Sequence, residues 1–152
     1  MPATIVPTTF NQVKNLIAQL DNRIYHTKEL LDDEPNQIET LKDNGNIVGF
    51  GVHKRVKGQE LINYTNENYL DEDAPPTSFY NDVDPNASYV WIEILDIIDS
   101  DQKKGYGRDY VDWVKAQYPN QRIYVYPIKT VEFWYKQKFV SIGNDTEWVR
   151  YI

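Results

Sequence analysis

Ten consecutive residues, Ser88-Tyr89-Val90-Trp91-Ile92-Glu93-Ile94-Leu95-Asp96-Ile97, constrain the fold of this chain more than any others. They are rich in β-branched and aromatic side chains, which suit a pleated surface. Apolar residues fall on both alternating faces, so a strand here needs cover on both sides and belongs at the centre of a sheet. Any fold for the chain must therefore supply layers above and below this segment. Its 152 residues give enough material for one domain with such a core and little room for a second. The expectation is a single domain spanning 1–152.

The flanking patterns suggest what those layers are. Thr4-Ile5-Val6 reads as a short first strand. Thr9 with Gln12 has the form of a capping box, and Phe10, Val13, Ile17 and Leu20 follow at helical spacing. Tyr25 to Leu41 reads as a second helical piece, interrupted at Pro35, which lacks the amide hydrogen a helix interior needs. Asn44-Gly45-Asn46 is a turn. Ile47 to Val52 and Glu60 to Tyr64, joined at Lys57-Gly58, read as an antiparallel hairpin. From Asn66 to about Asn86 the chain is acidic and proline-containing, which argues for an irregular loop. After the central strand, Tyr110, Val111, Val114 and Tyr118 mark a helix that stops at Pro119-Asn120. Arg122 to Tyr126 is another strand, and Thr130 opens a helix to about Lys138. Phe139-Val140 and Thr146 to Tyr151 close as strands around a Gly143-Asn144-Asp145 turn. The class is α+β, with a mixed, mostly antiparallel central sheet flanked by helices.

Between the central strand and its following helix lies Gln102-Lys103-Lys104-Gly105-Tyr106-Gly107-Arg108. A turn of this kind can hold a phosphate for a physical reason. The first turn of a helix has backbone N–H groups without intrahelical acceptors, and the helix dipole favours an anion there. Gly105 and Gly107 let the backbone approach closely and take dihedrals a side chain would forbid. Lys103, Lys104 and Arg108 add positive charge. A Gly-x-Gly alone also occurs in turns for steric reasons; the strand before it, the helix after it and its basic character mark this one.

Composition removes several other classes. There is no cysteine, which excludes disulfides, thiolate metal sites and a cysteine nucleophile. His26 and His53 stand apart, without metal-ligand spacing, and His53 falls at a strand end in an exposed position; no metal is expected. The formal net charge of −7 disfavours nucleic acid as a partner. It would attract a cationic amine, although charge of this size also serves solubility alone. No apolar run approaches the roughly 20 residues that span a bilayer. Met1-Pro2-Ala3-Thr4 lacks the pattern of a signal peptide. These features point to a cytoplasmic protein with no membrane partner.

With these residues in view, the chain resembles the GNAT superfamily of N-acetyltransferases. That family's signature is Gln or Arg, two residues, Gly, one residue, then Gly or Ala, which Gln102 to Gly107 match. Val131 to Phe139 resembles the family's last helix and the start of the next strand. The resemblance covers residues 88 to 151 well and the remainder loosely. It implies acetyl-CoA as co-substrate, in a V-shaped gap beside the central strand. Backbone groups of Ile97 and Ile98 would pair with the pantetheine arm, and amides from Lys103 to Arg108 would hold the pyrophosphate. It also implies direct attack of a substrate amine on the thioester in a ternary complex, without an acyl-enzyme.

The family often carries a carboxylate base where Glu93 stands, and an amine must lose its proton before attack. The structural alternative for Glu93 is a solvent-facing or lysine-paired carboxylate. Asp96 is the alternative carboxylate, but it alternates to the opposite face, with Ile94. Three departures from the family pattern are visible. Trp134 occupies the place of a tyrosine that protonates the leaving thiolate. It is a cofactor contact there but cannot act as an acid. Tyr135 is the adjacent hydroxyl, turned about 100° around the helix; Tyr106, Tyr124 and Tyr126 are other candidates, each with core packing as its alternative. Pro127 stands where an asparagine is usual, with Lys129 or Thr130 as substitutes. Lys138 replaces a usual glycine, which bears on the turn more than on the chemistry. The acidic stretch from Asp71 to Asp84 would either form a lip over the acceptor site or remain a solvated loop. A non-catalytic CoA-ester-binding or protein-interaction module of the same fold is the alternative function. The acceptor and the oligomeric state, including a homodimer, are left open by the sequence.

Overall fold

The computed structural model describes residues 3–20, 23–24, 27–35, 37–68, 75–102, 104–128 and 131–152, leaving aside the side chains of Thr27 and Glu29. The elements are β1 (Thr4–Thr9), α1 (Phe10–Gln19), α2 (Thr27–Asp33), β2 (Gln37–Asp43), β3 (Asn46–Lys57), α3 (Gly58–Asn68), α4 (Thr77–Asp82), β4 (Ser88–Ile97), a 3₁₀ turn (Asp99–Asp101), α5 (Tyr106–Gln117), β5 (Ile123–Val125), α6 (Glu132–Lys136), β6 (Val140–Ser141) and β7 (Val149–Tyr151). The strands among the described residues form one sheet in the order β1-β2-β3-β4-β5-β7-β6. β1–β2, β2–β3, β5–β7 and β6–β7 are antiparallel, and β4–β5 is parallel. The fold is thus α+β with a mixed, mostly antiparallel sheet, and β4 is central with the bounds expected for it.

Three expected elements differ. Gln37 to Leu41 is strand β2, not helix; Ile38, Glu39, Thr40 and Leu41 are all buried, on both faces. The hairpin partner of β3 is therefore β2. Their two-residue turn has Asn44 at φ 53° and Gly45 at φ 81°, the positive dihedrals that match strand twist. Glu60 to Tyr64 lies in helix α3. The buried positions Gly58, Leu61 and Thr65 follow a helical spacing, and the adjacent pair Leu61-Ile62 fits either period. Within the acidic stretch, Thr77–Asp82 is a helix anchored by fully buried Phe79; residues 69–74 lie outside the described ones. Pro7 sits inside β1, at an edge of the sheet, where a missing donor is tolerated.

The chain divides into two compact units, residues 1–53 with 93–117 and residues 54–92 with 118–152. In the first, α1 presents Phe10, Val13 and Ile17 to Ile38, Phe50, Val52, Ile94 and Ile98. The N-terminus of α1 is capped as its sequence suggests, Thr9 N–H donating to Gln12 Oε1 at 3.3 Å. In the second, an aromatic core gathers Phe79, Tyr89, Trp91, Tyr124 and Trp148 with Leu61, Val56 and Val83.

The end of α6 shows why a glycine is usual at position 138. Phe139 N–H donates to Trp134 O at 3.1 Å and Lys138 N–H to Tyr135 O at 3.0 Å, and Lys138 sits at φ 73°. This is a Schellman termination, completed by the Trp134–Phe139 ring contact at 5.2 Å. A side chain in that left-handed region is strained by about 1 kcal/mol. Lys138→Gly is therefore expected to stabilise the fold by about 0.5–1 kcal/mol, read by denaturant unfolding. A loss of stability would contradict the strain argument.

Candidate functional site

β4 fixes the start of the site. From Glu93 onward its residues alternate cleanly: Glu93, Leu95 and Ile97 are half-buried, while Ile94 and Asp96 are buried. Ile94 packs in the core on the α1 side, so Asp96 shares that face, as the alternation predicts. The other face carries Ile97. A Cβ added to Gly49 of β3 would lie 2.6 Å from Asp96 O and 2.8 Å from Ile97 Cδ1, and one added to Gly51 would strike the Tyr110 ring at 2.3 Å. Glycines at both positions let β3 run close against β4 and let α5 seat Tyr110 directly on the strand.

The backbone after β4 is held from several sides. Ile98 N–H donates to Val48 O at 2.9 Å and Asp99 N–H to Arg23 O at 3.0 Å. The Arg23 guanidinium reaches Ser100 Oγ at 3.0 Å. Gln102, the first residue of the signature, turns its side-chain amide back to Ile97 O at 3.3 Å. Amides alternate sides along an extended chain. Since Ile98 donates to β3, the N–H of Ile97 faces away from β3. The pairing of β4 with β5 covers only Val90, Trp91 and Ile92.

Gly105 then begins α5. Its φ is +86°, and its carbonyl accepts the first intrahelical bond, from Asp109 N–H at 3.1 Å. Gly105 is thus the N-cap, in a conformation that glycine adopts without strain. The N–H groups of Tyr106, Gly107 and Arg108 precede that bond and have no acceptor within the helix. Lys104 and Arg108 are exposed at this end. Lys104 Nζ lies 3.3 Å from Asp101 Oδ1, an exposed pair that contributes little and can be exchanged for another anion. Lys103 lies outside the described residues.

The first unit therefore brings together Glu93, Ile97, Ile98, Gln102, Lys104, Gly105, Tyr106, Gly107 and Arg108. Trp134 and Tyr135 belong to the second unit. Trp134 is 8% exposed and packs against Phe133 and Phe139, whereas Tyr135 is 44% exposed. Tyr124 is no candidate acid: it is fully buried, and burial followed by its hydrogen bond to Asp82 pushes its hydroxyl well above the usual range.

His53 corrects its sequence reading. It lies within β3, not at its end, and its side chain is only 5% exposed, with Nδ1 2.7 Å from Glu39 Oε1. Tyr110 donates its hydroxyl to the same Glu39 oxygen at 2.7 Å, and Trp113 meets His53 edge to face. Glu39, Asp43 and Arg23 escaped sequence reasoning, as did the contacts of His53 and Tyr110. The paired strand glycines 49 and 51 were the available sign that something packs closely there. His26, Lys129 and Thr130 lie outside the described residues. Among those described, no group of His, Asp and Glu is arranged to hold a metal, and no helix is long and apolar enough to cross a membrane.

No protein-family profile matches the sequence, and no curated protein matches it. Solved structures do. An acetyltransferase from Thermus thermophilus aligns with a TM-score of 0.61 at 18% identity, over 99% of this chain and 97% of that one. The Bacillus subtilis N-acetyltransferase YlbP, solved with coenzyme A, gives 0.57 at 17%, over 98% and 95%. A Corynebacterium glutamicum protein described as histone acetyltransferase HPA2 and related acetyltransferase gives 0.58 at 16%, over 94% and 87%. The chain has the GNAT acyltransferase fold.

Proposed function

We propose that this chain is an acetyl-CoA-dependent N-acetyltransferase, forming one acyltransferase domain and transferring an acetyl group to a primary amine by direct attack in a ternary complex. The observation that carries the reading is Gly105 at φ +86°, capping the helix α5 that follows the central strand. It leaves three successive amides without an acceptor inside the helix, flanked by exposed Lys104 and Arg108, where a pyrophosphate would be held. The residues fit such a ligand, because anion, dipole and cation all act in one sense. The outward backbone of Ile97 would pair with the pantetheine arm. Ile98, whose N–H is engaged by Val48 and whose carbonyl accepts from Asp101 N–H at 2.8 Å, would contribute by shape alone.

Acetyl-CoA, when bound, supplies an activated acyl group on a thiol that leaves readily. Glu93, half-buried on β4, is the proposed base that takes a proton from the incoming ammonium. A thiol of pKa near 8.5 departs as thiolate with little help, so the place of Trp134 does not by itself prevent turnover. Tyr135 is the proposed donor if one is used. The exposure of Tyr135, and the packing of Trp134, favour the second reading, a non-catalytic CoA-ester-binding module of the same fold.

One measurement tests both readings and a second separates them. Calorimetry is expected to show acetyl-CoA binding, and its absence at high micromolar cofactor would overturn both readings. Thiol release is expected with at least one member of a panel of polyamines, amino acids and peptides. Among catalysed reactions, Glu93→Gln is expected to lower kcat at neutral pH by about 10²–10⁴-fold with acetyl-CoA affinity intact; an unchanged rate removes Glu93 from the mechanism.

A further inference from the structure

Two tyrosines at consecutive turns of α5 are tied to two carboxylates of β2. Tyr106, the first residue of the helix, is 6% exposed and donates its hydroxyl to Asp43 Oδ2. Tyr110, one turn later and fully buried, donates to Glu39 Oε1 at 2.7 Å. Glu39 stands opposite Gly51 in the β2–β3 register, and the Tyr110 ring lies on that glycine. The glycine thus sets the depth of the ring, and the carboxylate sets the direction of its hydroxyl. His53 Nδ1 closes on the same Glu39 oxygen, which leaves the carboxylate little freedom to follow a moving helix.

We propose that Asp43 and Glu39 are positioning residues for the anion-binding end of α5, acting through the hydroxyls of Tyr106 and Tyr110. This inference rests on the reading of that end as a CoA site. Backbone amides hold a phosphate only within about 3 Å and near linearity, and a displacement of about 1 Å is costly at such a site. Gly105, the residue joining the turn to the helix, supplies no rigidity of its own. The Tyr106 bond acts on the very turn whose amides face the ligand. Asp43 holds the Tyr106 hydroxyl up at about 12, first through that hydrogen bond, so the hydroxyl remains a donor throughout any ordinary assay range.

A merely structural bond would change stability alone; a positioning bond changes affinity for a ligand that carries a pyrophosphate. The test is calorimetry of CoA, and NMR titration of pantetheine, which lacks the pyrophosphate, on wild type, Tyr106→Phe, Asp43→Ala and the double variant. Each single variant is expected to raise the Kd for CoA about five- to tenfold, the loss of roughly one charge-assisted hydrogen bond. The double variant is expected to be no worse than the worse single one. Pantetheine binding should shift less than about twofold, and Asp43→Asn, which keeps an acceptor oxygen, should recover most of the affinity even if Tyr106→Phe folds poorly. CoA affinity within about twofold of wild type in both singles, additive losses, or an equal loss for pantetheine would overturn the proposal. Failure of wild type to bind CoA would instead overturn the reading of the site itself.

Discussion

Gly107→Asp is expected to weaken acetyl-CoA binding by at least about a hundredfold, while leaving the fold as stable as before. Gly107 is the second residue of α5, where the helical backbone is one that a residue with a side chain adopts without strain. Aspartate is a better helix residue than glycine, and a carboxylate in the first turn interacts favourably with the helix dipole by about 0.3–1 kcal/mol. The same carboxylate would stand where the pyrophosphate is proposed to sit. Two like charges about 4 Å apart repel by roughly 4 kcal/mol at an effective dielectric of about 20, and salt screening still leaves about two factors of ten. Calorimetry and thermal unfolding of one preparation measure both effects. Lost binding with intact stability is the signature of an occupied anion site. Unchanged binding would show that the pyrophosphate is held elsewhere, and would remove the main support for the proposed activity.

The turn at Gly105 was legible because its signals are local. A strand apolar on both faces, a glycine at the helix start and a following helical period each act over a few residues; the strand keeps its expected bounds, whereas the helix begins inside the expected turn, at Tyr106, so that Gly107 is helical and only Gly105 takes the left-handed dihedral. What stayed hidden depends on distant partners. Tyr106 and Tyr110 sit four apart, a spacing visible in the sequence, but their acceptors Asp43 and Glu39 lie on another element. His53 read as exposed because a lone histidine at the expected end of a strand gives no hint of a buried carboxylate 14 positions earlier. Gln37 to Leu41 read as helix because both faces of β2 are buried, which erases the alternation that marks a half-buried strand. Helix α3 read as strand because Leu61-Ile62 satisfies either period; its true face is set by contact with the aromatic core, Thr65 accepting a hydrogen bond from Trp148. In each case the deciding force is tertiary packing acting over a weak local preference.

The second large effect falls on that aromatic core. Trp148→Ala is expected to destabilise the fold by about 3–5 kcal/mol, against a total that for such domains is about 5–15 kcal/mol. Trp148 is 1% exposed. It stacks on Phe79 with ring centres 4.9 Å apart and meets Tyr64, Tyr126 and Tyr124 edge to face. Its indole N–H donates to Thr65 Oγ1 at 3.0 Å, and that hydroxyl donates onward to Leu61 O at 2.8 Å. Truncation to alanine leaves a cavity between rigid rings that cannot collapse into it. Trp148→Phe is a sharper probe. It removes the N–H while keeping most of the stack, and the Thr65 hydroxyl retains its own acceptor, so no buried donor is stranded. Its expected cost is about 1–2 kcal/mol, well below that of alanine. Denaturant unfolding of both variants gives the two values. A Trp148→Ala loss below about 1.5 kcal/mol would mean that the surrounding aromatics repack. Equal losses for both variants would instead place the energy in the Thr65 hydrogen bond rather than in the ring contacts.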